Sequence, residues 1–253
     1  MEKLSVYMIT KNSAKRLEPT LNAIAKVADE IVILDSGSTD NTKEIAEKYK
    51  ALFAYNEWTS FSGQKKAAEA KCRYQWLLNL DDDEVLSPEL IEEINNFKQN
   101  PDADVCLLKI GDMFPGYTKP RKWGRMYNII RMYNRNAASM PDDYTKDRIV
   151  INKENPTIKQ FNGLVYHYSF QGITPLINKL NLFTDEVVKT MLAKGKKYSK
   201  ARVFTEFPVQ FCKYYFHKRY IFNGYYGFIV AVIYSFFRFV RIAKYMEAKK
   251  AEK

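Results

Sequence analysis

Over the first 110 residues, short apolar runs alternate with amphipathic stretches. The period-two and uninterrupted runs predict strands at Leu4–Thr10, Glu30–Leu34, Ala51–Tyr55, Trp76–Leu80 and Asp104–Ile110. The helical period appears over Arg16–Val27, after Ser38, over Gly63–Tyr74, and after Ser87. The helix after Ser38 has four N-cap candidates in Ser38, Thr39, Asp40 and Asn41. Ser87 caps a helix whose first residue is Pro88, a position where the missing N–H costs nothing. Strands alternating with helices predict right-handed crossovers and a parallel sheet, with ligands bound at the carboxyl ends of its strands. From Gly111 to Tyr168 the pattern breaks into Gly-, Pro-, Trp-, Tyr- and Arg-rich sequence, the mark of loops and short antiparallel strands facing a substrate. Helical sequence returns over Thr174–Leu192, roughly Lys200–His217, and a last helix toward the terminus.

Charge distribution separates the ends of the chain. Between Lys194 and Lys253 there are 14 Lys or Arg against 3 Asp or Glu, which accounts for the whole net charge of +11. Residues 1–193 are therefore neutral. Tyr220–Phe237 carries no charge at all and is flanked by Lys218, Arg219, Arg238, Arg241 and Lys244. At 18 residues, and interrupted by Asn223, Gly224 and Gly227, it reads as a helix lying in a membrane interface or dipping into one leaflet. A core-packing or dimer-forming helix is the alternative. The basic, aromatic tail is expected to meet an anionic membrane surface. With no zinc-finger spacing and no helix-turn-helix cue, nucleic acid is not an expected partner. The three cysteines, Cys72, Cys106 and Cys212, are odd in number and widely spaced, as in a reduced, cytoplasmic setting. Met1–Val6 enters a strand pattern at once, without a signal-peptide apolar region. The expected location is the cytoplasmic face of the plasma membrane, held peripherally.

Two acidic clusters sit where predicted strands end. Asp35-Ser36-Gly37-Ser38-Thr39-Asp40 follows Ile31–Leu34, and Asp81-Asp82-Asp83-Glu84 follows Trp76–Leu80. Crowded carboxylates repel and resist desolvation, so they seldom serve the fold alone. A divalent cation relieves the repulsion and can hold a phosphorylated ligand. Asp81 and Asp83, two apart, share a face. One carboxylate can hold the metal while the other accepts from ribose or metal-bound water. Asp35 opens a turn at a helix N-terminus, where it can accept from a base N–H while the turn, Ser38 included, offers anion sites. Each cluster also has a plainer reading, as a capping turn or a solvated loop start.

Together these segments resemble glycosyltransferase family 2, which implies a GT-A fold: α/β, Rossmann-like, a mostly parallel sheet with flanking helices. The resemblance rests on Ser5–Asn12, Glu30–Thr42 and Leu78–Glu84. The lipopolysaccharide or lipooligosaccharide core branch is similar also at Phe61–Lys66, Arg131–Arg135, His167–Phe170 and in the tail around Asn223-Gly224. The implied organisation is a catalytic domain over 1–170, its nucleotide half 1–110 and acceptor half 111–170, followed by a helical basic extension over 171–253. By this resemblance Thr10 and Asp35 contact the nucleotide base, Asp81 the nucleoside, and Asp83 a Mg²⁺ or Mn²⁺ ion on the diphosphate. Lys11 and Lys66 are phosphate partners; for Lys65 and Lys66 a solvated helix face is the plainer reading. The donor is a nucleoside-diphosphate sugar, with UDP favoured, and the acceptor a lipid-linked saccharide.

In one place the chain departs from that branch. Where a Val-His-Glu triplet supplies the general base, this sequence has Thr145-Lys146-Asp147. Asp147 keeps the carboxylate, and Lys146 would hold it ionised while weakening it as a base. Asp142 and Asp143 are rivals for that role. Trp123, Tyr127 and Tyr133 are expected to form an acceptor platform, and His167 to be a packed, hydrogen-bonded ring, with a role near the acceptor implied by the resemblance alone. Two other functions stay open: a nucleotidyltransferase, although the loop Lys11–Lys15 lacks glycine, and a silent sugar-nucleotide or glycan-binding protein.

Overall fold

A computed structural model describes residues 1–141, 148–195 and 198–251. The chain forms two compact units, Met1–Gly111 with Met126–His167, and Asp112–Arg125 with the residues from Tyr168 onward.

The first unit carries strands β1 (Leu4–Thr10), β2 (Glu30–Asp35), β3 (Leu52–Tyr55), β4 (Trp76–Asn79), β5 (Glu84–Leu86), β6 (Val105–Asp112), β7 (Met126–Asn134), β8 (Ala138–Ser139), β9 (Val150–Ile151) and β10 (Ile158–His167). Its helices are α1 (Leu17–Ile24), α2 (Thr42–Lys48), α3 (Phe61–Ala70) and α4 (Pro88–Gln99). Eight strands form one sheet in the order β3-β2-β1-β4-β7-β6-β10-β5, and β8 pairs with β9 separately. The sheet is parallel across β3, β2, β1 and β4; β4–β7, β7–β6 and β10–β5 are antiparallel. The segment expected to hold loops and short strands therefore supplies two of the longest strands, β7 and β10, of 9 and 10 residues. β7 enters the sheet between β4 and β6.

The central strands are apolar without interruption because both faces are covered. Leu4, Val6 and Met8 of β1, with Ile31 and Ile33 of β2, pack against α1 and α4. Their neighbours Tyr7, Ile9, Val32 and Leu34 pack on the other side with Ala68 of α3. Each fully buried aliphatic side chain contributes about 1.5–3 kcal/mol over an exposed one.

Helix α4 starts as the sequence indicates. Pro88 is its first residue, and Ser87 Oγ accepts from Leu90 N at 3.3 Å. That end is fixed to β10: Ser87 N donates to the Leu164 carbonyl at 2.9 Å, and Leu164 N donates to Ser87 Oγ at 3.2 Å. The approach is so close that a Cβ on Gly163 would lie 2.5 Å from the Leu90 backbone.

The second unit is helical: α5 (Ile173–Ala193), α6 (Arg202–Cys212) continued by a π-turn over Lys213–His217, a 3₁₀ turn over Tyr220–Asn223, and α7 (Gly224–Ala251). Its cores gather Phe114, Leu176, Tyr220, Val230 and Ala231 at one place, and Val188, Met191, Ile242 and Tyr245 at another. Tyr220–Lys250 is long and apolar enough to cross a membrane by length and composition, with a mean hydropathy of 1.6 over its best window, a third of which is buried.

Candidate active site

The carboxyl ends of β1, β2 and β4 bring both acidic clusters to one edge, and short hydrogen bonds lace the loops there. Asn12 N donates to Ser38 Oγ at 2.8 Å, and Thr39 N donates to Asn12 Oδ1 at 2.8 Å. Asp35 is buried. Its Oδ2 accepts from Gly37 N and Ser38 N, both at 2.8 Å, and its Oδ1 from the Ser38 hydroxyl. Gly37 takes φ +91, which a side chain would resist. The N-cap position of α2 is Asn41, without a side-chain cap bond; Asp40, just before it, accepts from Thr42 N on Oδ1 at 3.1 Å. Lys11 is exposed beside this turn.

The three aspartates of the second cluster have three different settings. Asp81 is held by two buried cations: Lys65 Nζ lies 2.9 Å from Oδ1 and Arg131 Nη2 lies 3.1 Å from Oδ2. Arg131 also donates to Asn79 Oδ1 at 2.9 Å and to Glu84 Oε1 at 2.7 Å. Burial alone would raise the Asp81 pKa, but Arg131 and Lys65 outweigh it and hold the carboxyl well below its usual range. Glu84, fully buried, is shifted the other way; burial raises it more than Arg131 can lower it. Lys65 is therefore a buried counter-ion and no part of a solvated helix face. Lys66, the next residue, is half-buried, and its charge acts on Glu69.

Asp82 turns inward. It accepts from the Thr10 hydroxyl at 3.0 Å, from the Ser13 hydroxyl, and from Arg16 Nε at 3.0 Å and Nη2 at 3.1 Å. Thr20 Oγ1 donates to its carbonyl at 3.2 Å. Thr10 thus reaches the cluster through Asp82, a residue to which sequence reasoning gave no part.

Asp83 is set apart. Its Oδ1 lies 3.5 Å from His167 Nε2. Burial tends to raise its pKa, but the imidazole outweighs that and holds the carboxyl low. The neighbour arrives through β10–β5 pairing, in which His167 stands opposite Glu84. Nothing local in the sequence announces this pairing; His167, expected as a packed ring, is instead part of the cluster. Among the described residues no group of three or more His, Cys, Asp or Glu could enclose a metal. A carboxylate and an imidazole nitrogen on one side do fit a Mg²⁺ or Mn²⁺ ion that takes its other ligands from a diphosphate and water.

One further expectation changes. Tyr133 cannot belong to an acceptor platform: it is fully buried, with its hydroxyl on Tyr7 at 2.7 Å and on Glu69. Trp123 is exposed and Tyr127 half-buried. Asp147, the expected base, and its rivals Asp142 and Asp143 lie outside the described residues.

Comparison with known proteins fits this geometry. The model of the glycosyl transferase family 2 domain matches residues 5–154. The chain belongs to glycosyl transferase family 2. A protein of Rickettsia typhi, named as an uncharacterized glycosyltransferase, is 36% identical over 98% of this chain and 88% of its own. The lipopolysaccharide core biosynthesis glycosyltransferase LpsC of Rhizobium meliloti is 36% identical over 35% of this chain and 34% of its own. Among solved structures, S. aureus TarS in complex with UDP-GlcNAc is 26% identical over 48% of this chain and 38% of its own, with a TM-score of 0.39. The fold is accordingly the GT-A fold of a glycosyltransferase, and the chain is an enzyme of that class.

Proposed function

We propose that this family 2 enzyme is an inverting, metal-dependent glycosyltransferase, moving a sugar from a nucleoside diphosphate, UDP by preference, to a lipid-linked saccharide such as lipopolysaccharide core. One observation carries the reading. Of the three aspartates, Asp81 and Asp82 pair directly with protein cations, whereas among the described residues the ion-pair partner of Asp83 is the His167 ring at 3.5 Å, with the Arg16 charge acting on it from farther away. Asp83 with His167 would hold Mg²⁺ or Mn²⁺, which when bound supplies Lewis-acid neutralisation of the departing diphosphate.

The remaining work falls to this chain's own residues. Lys65 and Arg131 fix the Asp81 carboxylate at the strand end, in position to accept from the nucleoside. Asp35, locked by Gly37 and Ser38, presents a preorganised acceptor edge beside Thr10 for the base. Lys11 and Lys66 are the nearest candidates for the phosphates. Asp147 takes the proton of the acceptor hydroxyl, which attacks the anomeric carbon opposite the diphosphate, so that a single displacement inverts the centre. The helical unit, with its uncharged Tyr220–Phe237 and basic flanks, seats the enzyme peripherally on an anionic membrane surface at its cytoplasmic face.

A thermal-shift panel of UDP-, GDP- and dTDP-sugars, with and without Mn²⁺, tests the donor and metal together. A melting rise given by a UDP-sugar only when Mn²⁺ is present is the expected result. Equal rises with and without metal would overturn the metal dependence, and a larger rise with another base would overturn the donor.

A further inference from the structure

In the helical unit one carboxylate is shared by three guanidinium groups. Glu206 on α6 is 3% exposed, and Arg202 Nε, one turn earlier, donates to its Oε2 at 2.6 Å. Arg238 Nε and Arg241 Nη2 on α7 lie 3.5 and 3.7 Å from Oε1, without hydrogen-bond alignment. Glu206 Oε1, Arg238 Nε and Arg241 Nε are buried with no hydrogen-bond partner among the described residues. The four side chains sum to two positive charges in a partly desolvated place. Burial, and then Arg238, push the Arg241 pKa below its ordinary value. A second anion would relieve that crowding, and a phosphate matches the guanidinium fork.

Position on the helix indicates where the anion comes from. Helix α7 is uncharged over the 14 residues from Gly224 to Phe237, about 21 Å, well short of a ~30 Å hydrocarbon core. Arg238 follows at once. Exposed apolar side chains stand on all three helices of this unit, among them Phe204 at 82%, Leu182 at 69% and Phe228 at 49%. A helix that dips its apolar length into one leaflet brings the residues at its end to the headgroup level.

We propose that Arg202, Arg238 and Arg241 form a clamp for the phosphate of an anionic bilayer lipid, with Glu206 as the fixed counter-ion that holds the three guanidiniums together. This rests on the membrane seat proposed above. It differs from the diffuse attraction of a basic tail because it assigns the selectivity to a partly buried site, which salt screens less than it screens exposed lysines.

The test is flotation of the full chain with vesicles of phosphatidylcholine alone, or with one-third phosphatidylglycerol, at about 0.5 M NaCl, where the screening length is only ~4 Å. The wild type is expected to favour the phosphatidylglycerol vesicles about tenfold, as one well-placed charge-assisted phosphate contact allows. Arg238→Gln/Arg241→Gln loses that preference, while Lys249→Gln/Lys250→Gln, which removes the same charge from the same helix, keeps it. Glu206→Gln leaves three guanidiniums uncompensated and raises the preference, the opposite of what a purely structural role would give. It decides the matter should the arginine pair prove misfolded by circular dichroism. Equal loss in both double variants, or no preference in the wild type, overturns the clamp and leaves the seat standing. No flotation with either vesicle overturns both.

Discussion

Arg131→Met tests the electrostatics of the site most severely. Arg131 is 8% exposed and serves Asp81, Glu84 and Asn79 at 2.7 to 3.1 Å. In the intact site Lys65 and Arg131 balance Asp81 and Glu84. The substitution leaves Lys65 facing two carboxylates, one of them Glu84, which is wholly buried. Removing one partner of a buried pair costs about 3–5 kcal/mol. Against a total stability of about 5–15 kcal/mol this is a large fraction, and with a urea slope of about 2–3 kcal/mol per molar it lowers the midpoint by about 1–2.5 M. The pH dependence has a definite sign. Glu84 is already raised by burial, and losing Arg131 raises it further, so the folded variant binds a proton that the unfolded chain has released. Stability of the variant therefore falls as pH rises above the ordinary glutamate range, and its deficit is smaller at pH 5 than at pH 7.5. Adding Glu84→Gln removes the orphaned charge and restores most of the loss. Urea titrations by circular dichroism at the two pH values measure all three quantities. A single variant within 1 kcal/mol of wild type at pH 7.5 would refute the reasoning. So would a double variant whose loss is the sum of the two singles.

Three other perturbations probe separate links. Gly163→Ala places a Cβ 2.5 Å from the Leu90 backbone and should cost about 1–3 kcal/mol by overpacking, read as a lowered urea midpoint; an unchanged midpoint would mean that α4 can retreat from β10 at little cost. Glu30 is raised by burial but lowered more by the Arg73 N–H, the Ser5 hydroxyl and the Arg73 guanidinium, so its net pKa is depressed. Its stabilisation is present above pH ~4.5 and is lost as pH falls through the folded value, so Glu30→Gln should flatten the acid limb of a melting-temperature profile; a parallel limb would contradict this. His167→Gln should weaken Mn²⁺ binding in the presence of UDP by about 10- to 100-fold, by calorimetry, while leaving the melting temperature of the free enzyme within a few degrees; unchanged metal affinity would remove His167 from the site.

The parts of this fold that the sequence discloses are those set by neighbours along the chain. Uninterrupted apolar runs mark β1, β2 and β4, since each is covered on both faces. Ser87-Pro88 marks the start of α4, because capping is decided within four residues. Asp35 and the Asp81–Asp83 triplet were legible as strand-end clusters for the same reason. What was hidden depends on pairing at a distance. β7 slips between β4 and β6, so a segment read as loops and short antiparallel strands supplies two of the longest strands of the sheet. His167 stands beside Asp83 only because β10 pairs with β5, more than 70 residues earlier. Asp82 finds Arg16 across 66 residues, and nothing in the triplet itself distinguishes the residue that turns inward from the one that faces His167. Tyr133 belongs to a polar, aromatic stretch and looks like a surface residue. Its hydroxyl is satisfied inside by Tyr7 and Glu69, which is what allows the ring to be buried.

The central claim is that Asp83 holds the metal while Asp82 serves the fold. Electron paramagnetic resonance of Mn²⁺ titrated into the enzyme with UDP tests it directly, since free and bound ions give different signals. With wild type, and with Asp82→Asn in its folded fraction, the free-ion signal should fall as UDP is added; with Asp83→Ala it should stay at the level seen without protein. An Asp83→Ala enzyme that still captures Mn²⁺ and UDP as wild type does would contradict the account.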